Sequence, residues 1–498
     1  MTQDITSSII TTTGGLILDQ DIYSMPPGAA TKLTNFEPSV LGGYRRLNGT
    51  TKVSTARVNG DNVVQGVLIY NDKVYAVSNG ILVVDAGSNV WTTLATGLTA
   101  NGRAYFERFN YENAEKVCMV NGADAPRIIN DTTVTTVSES SVSGAQFVAS
   151  FREHMFYAGM SSTPQEIVFS APFNEDDFNS GNGAGSIKVD DAVTGLKIFR
   201  DNLFIFCRDR IFKVTGNTLA TFTVSSVSRT LGCLDGFSIQ EIGGDLVFLG
   251  PDGVRTVQGT ARIGDTELGV ISKAIQRRFT TITLDRISSV VIRDKSQYRL
   301  FIPETAELEA SAYAVIGVIK ANPQGQIGWE WAEIKGIKPS CADSQFVNNA
   351  ELVVHGSFDG FVYKQESGNT FDGTNIIASY RSADLTLGDA GIRKNMQRIN
   401  LNYDAEGTVN LALGVKFDFE DPATPQPDDY TLTTQSTQAI YGLSTYGTAV
   451  YGSDGFPIIR QSIEGSGFTT VVKIDDTSSN PPITLKGFQL EFTPGTRM

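Results

Sequence analysis

The sequence predicts an all-β protein: a β-propeller of six or seven blades followed by a C-terminal β-sandwich that carries a long inserted loop. Three observations predict it. Short apolar segments alternate with polar residues at period two and are cut by turn residues. Asn-Gly, which suits two-residue hairpin turns with φ > 0 at both central positions, occurs six times, at Asn48, Asn59, Asn79, Asn101, Asn121 and Asn182. The strands fall into units of roughly four, spaced about 35–45 residues apart, as propeller blades are.

The first unit runs from Val67 to Leu94, with strands near Val67–Tyr70, Val74–Ser78, Ile81–Asp85 and Val90–Leu94. A second covers Arg103 to Val137, a third Gln146 to Ala171 and a fourth Thr194 to Val227. The fifth, Phe237 to Val257, turns at Pro251-Asp252-Gly253. A sixth unit is expected over Ile287 to Ile334 and a seventh over Gln345 to Leu387. One short helix is expected at Ser272 to Phe279, capped by Ser272, with Ile271, Ile275 and Phe279 on one face. After Asp389 the strands lengthen: Lys394 to Asp404 and Thr408 to Phe419 joined through Glu406-Gly407, then Ile458 to Glu464, Thr469 to Ile474 and Ile483 to Phe492. Between them, 420–456 opens on a Pro- and Asp-rich stretch that cannot continue a strand. The expected organisation is therefore an arm over 1–60 that contributes to propeller closure, a propeller over 61–388, and a sandwich over 389–498 with 420–456 as its inserted loop.

Composition bounds the function. Of 498 residues, 40 are Lys or Arg and 54 Asp or Glu, a net charge of −14. Nucleic-acid binders normally carry the opposite sign, because phosphate must be neutralised, so sequence-specific DNA or RNA binding is not expected. Charged residues are 19% of the chain, below the ~25% of ordinary soluble domains, and Thr, Ser, Asn and Gln stand in their place. No apolar run approaches the ~18 residues of a membrane span. The segment Met1 to Ile10 carries Asp4 and no basic start, so no secretory signal is read there.

Enzyme signatures are absent: there is no GxxxxGK[ST], no GxGxxG after a strand, no GxSxG and no HExxH. No catalytic, cofactor or metal residue is assigned. His154 and His355 stand on alternating strands beside Met155, Phe156, Val353 and Val354 and read as packed or surface side chains. Cys118, Cys207, Cys233 and Cys341 are widely spaced in apolar surroundings and read as buried free thiols. The acidic pairs Asp176/Asp177, Asp190/Asp191, Asp428/Asp429 and Asp475/Asp476 lie in or beside turns, and adjacent strand residues point to opposite faces, so turn chemistry accounts for them. The run from Asp177 lacks the sixth-position Gly and twelfth-position Glu of a calcium loop; Asn182 and Lys188 stand there. The least ordinary local feature is a Tyr-Gly pair repeated every five residues, Tyr441-Gly442, Tyr446-Gly447 and Tyr451-Gly452. Tyrosines give large amphipathic contact area, which suits a subunit or partner interface; a loop stapled onto its own sandwich is the other reading.

Several phrases occur in a recognisable order. They are Gly14-Gly15-Leu16, Met25-Pro26-Pro27-Gly28-Ala29-Ala30, Asn35-Phe36-Glu37-Pro38 and Gly42-Gly43-Tyr44-Arg45-Arg46-Leu47-Asn48-Gly49. Val120-Asn121-Gly122, Phe169 to Phe178, Val214-Thr215-Gly216, Gly232-Cys233, Val247 to Arg255 and Pro482 to Glu491 follow. Together they resemble the tail nozzle, or packaged-DNA-stabilisation, proteins of short-tailed bacteriophages. The resemblance implies a virion structural protein, assembled in the host cytoplasm, without enzymatic activity or cofactor. It implies a homo-oligomeric ring of about six copies below the portal and adaptor, meeting a tail fibre or needle, whose channel retains double-stranded DNA and releases it. An acidic lumen would let the genome slide without sticking. Related nozzle proteins are often longer, so a simple nozzle or stopper-like ring fits this chain better than an elaborate tip. The alternative class is a carbohydrate-binding or polysaccharide-degrading propeller. Against it stand the scarcity of His and the three tryptophans, Trp91, Trp329 and Trp331, on alternating strands.

Overall fold

Tight turns set the pattern of the chain. A two-residue hairpin whose central residues both take positive φ matches the right-handed twist of its strands. In the computed structural model this turn joins the first strand to the second at Asn71-Asp72, Arg152-Glu153, Arg200-Asp201, Gly243-Gly244 and Asn348-Asn349. Of the six Asn-Gly pairs, Asn79-Gly80 alone closes such a hairpin, between Ser78 and Ile81. Asn121 instead uses its side-chain oxygen to accept the Ala123 and Asp124 N–H groups, and Asn182 lies in a 3-10 turn. The structure describes residues 5–21, 24–87, 89–111, 114–258, 269–279, 286–302, 313–321, 327–434 and 458–497.

The chain divides into two units, one comprising Lys52–Ala314 and Lys338–Gln365, the other Met1–Thr51, Val315–Ile337 and Glu366–Met498. The first is a six-bladed β-propeller. Blades 1 to 4 are four-stranded antiparallel sheets that begin at Val64, Tyr105, Phe147 and Val193. Blade 5 has three strands, Gln240–Ile242, Asp245–Gly250 and Gly253–Thr256. Blade 6 is Pro339–Val347, Ala350–Ser357 and Val362–Gln365. The ring is closed by the N-terminal side of the same unit, where the Val53 N–H donates to the Val362 carbonyl at 2.9 Å and the Val58 N–H to the Gly360 carbonyl at 2.9 Å. Between blades 5 and 6 stands a hairpin, Ser288–Ile292 with Gln297–Ile302. The Gln240 amide donates to Ser289, and the Ser344 hydroxyl to the Val291 carbonyl, so the hairpin is tied to both neighbours.

Apolar residues on facing blade surfaces interdigitate as separate cores. Leu68, Tyr75 and Val77 of blade 1 meet Val117, Met119 and Ile129 of blade 2, and further clusters join blades 2 to 3, 3 to 4 and 4 to 5. The last joins Val354 and Val362 of blade 6 to Val67 and Ile69 of blade 1, with Val58 between. The four cysteines are free and buried, one in each of four of these cores.

The second unit holds two sheets. In one, Ile483–Arg497 pairs with Thr6–Thr11 and Tyr44–Arg46 on one side and with Ile392–Ala405 on the other. In the other, Ala30–Thr34, Ala378–Ser382, Thr470–Asp476, Val409–Phe417 and Tyr430–Thr434 run in that order, with Ile327–Lys335 parallel to Ala30–Thr34.

Four expectations change. The division 1–60, 61–388 and 389–498 gives way to interleaved units, because strands from 1–51 and 327–335 complete sheets that 389–498 cannot build alone. The sixth and seventh repeats are displaced: 315–337 leaves the propeller, and blade 6 starts at Pro339 and ends at Gln365. The loop 420–456 contains the strand Tyr430–Thr434, paired with Val409–Phe417. The expected helix is a kinked 3-10 segment, Lys273–Phe279, and the Ser272 hydroxyl accepts the Val254 N–H rather than capping it. No helix among the described residues is long and apolar enough to cross a membrane.

Candidate functional site

Inner strands of successive blades lie side by side around the propeller axis. Alternation along each strand sends successive side chains to opposite faces of its blade, and consecutive residues such as Glu107 and Arg108 both reach the space around the axis. A cavity of about 310 Å³ opens there, lined from blades 1, 2, 4, 5 and 6 and from the inserted hairpin. Its ionic lining is Glu107, Arg108, Lys197, Arg293 and Asp343.

Asp343 is the best-held carboxylate. Its Oδ2 accepts the Ile69 N–H at 2.8 Å and an Arg108 N–H at 3.2 Å, and Arg108 also donates to the Ile69 carbonyl at 2.6 Å. Burial pushes the Asp343 carboxyl above its ordinary range, and the Arg108 charge acts against that. Arg293 donates to the Ser344 hydroxyl at 3.2 Å and to Glu351 at 3.4 Å. Glu107 takes the Ser150 N–H at 3.3 Å on Oε1, and burial pushes its carboxyl up as well, with Lys197 acting against it. Lys197 is held above its ordinary range, first by Tyr105 and then by the Glu107, Glu241 and Asp343 carboxylates, against the effect of burial. No hydrogen bond or ion pair reaches its Nζ among the described residues. Cys341 also lines the cavity, but burial pushes its thiol up to about 12, so it is a poor nucleophile there.

The cavity can hold a small polar solute among fixed charges. It was hidden in the sequence because its charges sit inside strands with apolar neighbours: Glu107 and Arg108 between Phe106 and Phe109, Lys197 between Leu196 and Ile198, Asp343 after Ala342. A charge at the centre of the first strand of alternate repeats, blades 2, 4 and 6, is the signal that finds them.

The residues weighed from the sequence fall elsewhere. Tyr441, Gly442, Tyr446, Gly447, Tyr451 and Gly452 lie outside the described residues. His154 is buried with Nδ1 2.6 Å from the Ser170 carbonyl. His355 stacks on Tyr363 and accepts from the Gln365 amide, and burial brings its pKa down to about 3. Asp177 accepts the Asn179 N–H and the Asn182 amide, Asp191 the Ala192 and Asp209 N–H groups, and Asp190 pairs with Arg210. Asp429 pairs with Lys416, and Asp476 with Arg46. Trp331 is buried and stacked on Trp329 with ring centroids 5.6 Å apart, and Trp91 donates to the Ala56 carbonyl. No cluster of three or more metal-ligating side chains occurs among the described residues.

Fold and cavity define the class: a β-propeller with a polar axial chamber, in one chain with a second all-β unit. No family model matches the chain, and no curated protein does. Among solved structures it is similar to the extracellular domain of the putative hybrid two component system BT4673 from B. thetaiotaomicron, at TM-score 0.41 and 10% identity, over 73% of this chain and 44% of that one. The chain therefore spans less than half of that neighbour's length. It is also similar to the computationally designed Ika8 protein, at TM-score 0.34 and 10% identity, over 63% of this chain and 99% of that one.

Proposed function

We propose that the protein is a structural component of a bacteriophage tail: a ring-forming nozzle or stopper below the portal and adaptor that retains the packaged genome and conducts it on ejection. One observation carries the reading. Three of the ordered phrases that resemble nozzle proteins meet at a single buried hydroxyl. Tyr44 Oη accepts the Gly15 N–H at 3.0 Å and donates to the Gly28 carbonyl at 2.9 Å. Gly15 fits only without a side chain, since a Cβ there would lie 2.7 Å from the Trp331 nitrogen. Two residues on, Arg46 is buried against Asp476. The phrases thus fall on residues bonded to one another in the interior of their unit, which supports reading them as one ordered set; the assembly role rests on the resemblance.

The net charge of −14 supports a conduit, because a surface poor in cations does not trap passing phosphate. Size-exclusion chromatography with light scattering, followed by negative-stain imaging, tests the proposal. Rings of about six copies are expected, and deleting Tyr441 to Tyr451 is expected to reduce them to smaller species without lowering the melting temperature. A protein that stays monomeric at high concentration overturns the ring. The polar axial chamber favours one other reading, a carbohydrate-active propeller; depolymerisation of a polysaccharide by the monomer would establish that instead.

A further inference from the structure

We infer that the axial cavity is a binding site for a small polyhydroxylated monocarboxylate of the hexuronate class. The cavity's cations differ in what they lack. Arg108 is engaged by Asp343 and the Ile69 carbonyl, and Arg293 by Ser344 and Glu351. Lys197 has three donors, and among the described residues its Nζ makes neither a hydrogen bond nor an ion pair within 4.0 Å. An ammonium that faces a cavity without an acceptor calls for an anionic group on the occupant.

The charge around it limits that group. Glu107 and Asp343 both act on Lys197 from the lining, and Glu241 from beside it. Arg108 is paired with Asp343 and Arg293 with Glu351, so Lys197 is the one lining cation outside an ion pair among the described residues; it takes a single negative charge, and a phosphate dianion would be repelled by the flanking carboxylates. Two further lining groups are acceptors suited to hydroxyls. Glu107 uses Oε1 for Ser150, which leaves Oε2 without a hydrogen bond among the described residues; Gln240 donates to Ser289, which leaves its carbonyl oxygen open. Phe106 and Phe237 add apolar faces, one of them already covered by Arg103, 3.7 Å from the Phe237 ring centre. A volume of about 310 Å³ admits a single sugar acid with water. An occupant with a carboxylate for Lys197 and hydroxyls for Glu107 and Gln240 satisfies these three groups. The site lies wholly within the propeller unit and depends neither on ring assembly nor on any cleavage activity.

Isothermal titration of the full chain with galacturonate, glucuronate, glucose, acetate and inorganic phosphate tests it. A hexuronate is expected to bind, with glucose and acetate at least about tenfold weaker, since each lacks one half of the recognition. Lys197→Met is expected to lose at least about tenfold in affinity while Lys197→Arg retains binding, and Lys188→Met, exposed on blade 3, leaves it unchanged. If Lys197→Met does not fold, Glu107→Gln is read in its place, with weaker hexuronate binding and unchanged acetate binding expected. Failure of both hexuronates to bind, hexuronate binding unaffected by Lys197→Met, or phosphate binding as tightly as hexuronate each overturns the assignment.

Discussion

Arg46 places a full charge in the interior of its unit. Its side chain is wholly inaccessible and is held by Asp476 Oδ2 at 2.9 Å and by the carbonyl oxygens of Asn369, Ser478 and Asn480. Such a pair contributes little relative to an apolar replacement of both partners, yet removing one partner leaves an uncompensated buried charge. Arg46→Met is expected to destabilise the protein by about 3–5 kcal/mol in urea unfolding; a change of under about 1 kcal/mol would show that Asp476 is solvated once the pair is broken. His355 makes a second prediction, in acid. Burial keeps its imidazole neutral down to about pH 3, with Arg299 acting in the same sense and Asp359 against it. The unfolded chain takes up the proton near pH 6.5, so this residue's contribution is full above that pH and is lost progressively as pH falls toward 3. His355→Gln is expected to flatten the acid side of a melting-temperature profile over that window, and an unchanged profile would refute it. The role of Arg46 was invisible locally, since its partner is 430 positions away.

At the scale of elements, ring closure depends on a short segment. The Val53 and Val58 N–H groups complete blade 6, and Val58 is buried in the core between blades 6 and 1. Val53→Pro removes a donor and leaves the Val362 carbonyl unpaired. Hydrogen exchange at the amides of Val362–Gln365 is expected to accelerate well before exchange in blades 2 to 4, and uniform exchange around the ring would count against a closure at this point. The same seam is tightly packed. A Cβ on Gly356 would stand 2.5 Å from Val64 Cγ1 and 2.7 Å from Cys341 Sγ. Gly356→Ala is therefore expected to lower stability by about 1–3 kcal/mol in denaturant unfolding; an unchanged midpoint would show that the blades separate easily. Blades 1 to 5 were legible from alternation and turn spacing alone, except for the last strand of blade 3, Gly185–Lys188, which lies beyond the expected unit. The turn device shared by blades 1, 3, 4 and 5 was not, since the turns are Asn-Asp, Arg-Glu, Arg-Asp and Gly-Gly. A backbone conformation repeats where residue identity does not, and so the repeat is silent as sequence. Arginines in two of these turns reach the next blade, Arg152 to the Asp201 carbonyl at 3.4 Å and Arg200 to the Gly244 carbonyl at 2.6 Å.

For the whole molecule, the chain alternates between its units at 51/52, 314/315, 337/338 and 365/366. The stretch 389–498, which reads as an independent domain, lacks the strands Thr6–Thr11, Ala30–Thr34, Tyr44–Arg46 and Ala378–Ser382 that pair within its sheets. Expressed alone, it is expected to show no cooperative thermal transition, and a dispersed amide NMR spectrum from the fragment would overturn that. The amino-acid sequence by itself determined the all-β class, the propeller, the positions of its first five blades, the free cysteines and the turn role of Asp177, because each follows from period-two patterning or from chemistry within a few residues. Only the tertiary structure decided which strands share a sheet, where the ring closes, and that Glu107, Lys197 and Asp343 face one cavity. Those outcomes depend on pairings hundreds of residues apart, and local patterning specifies that a strand has a buried face without specifying which strand lies against it.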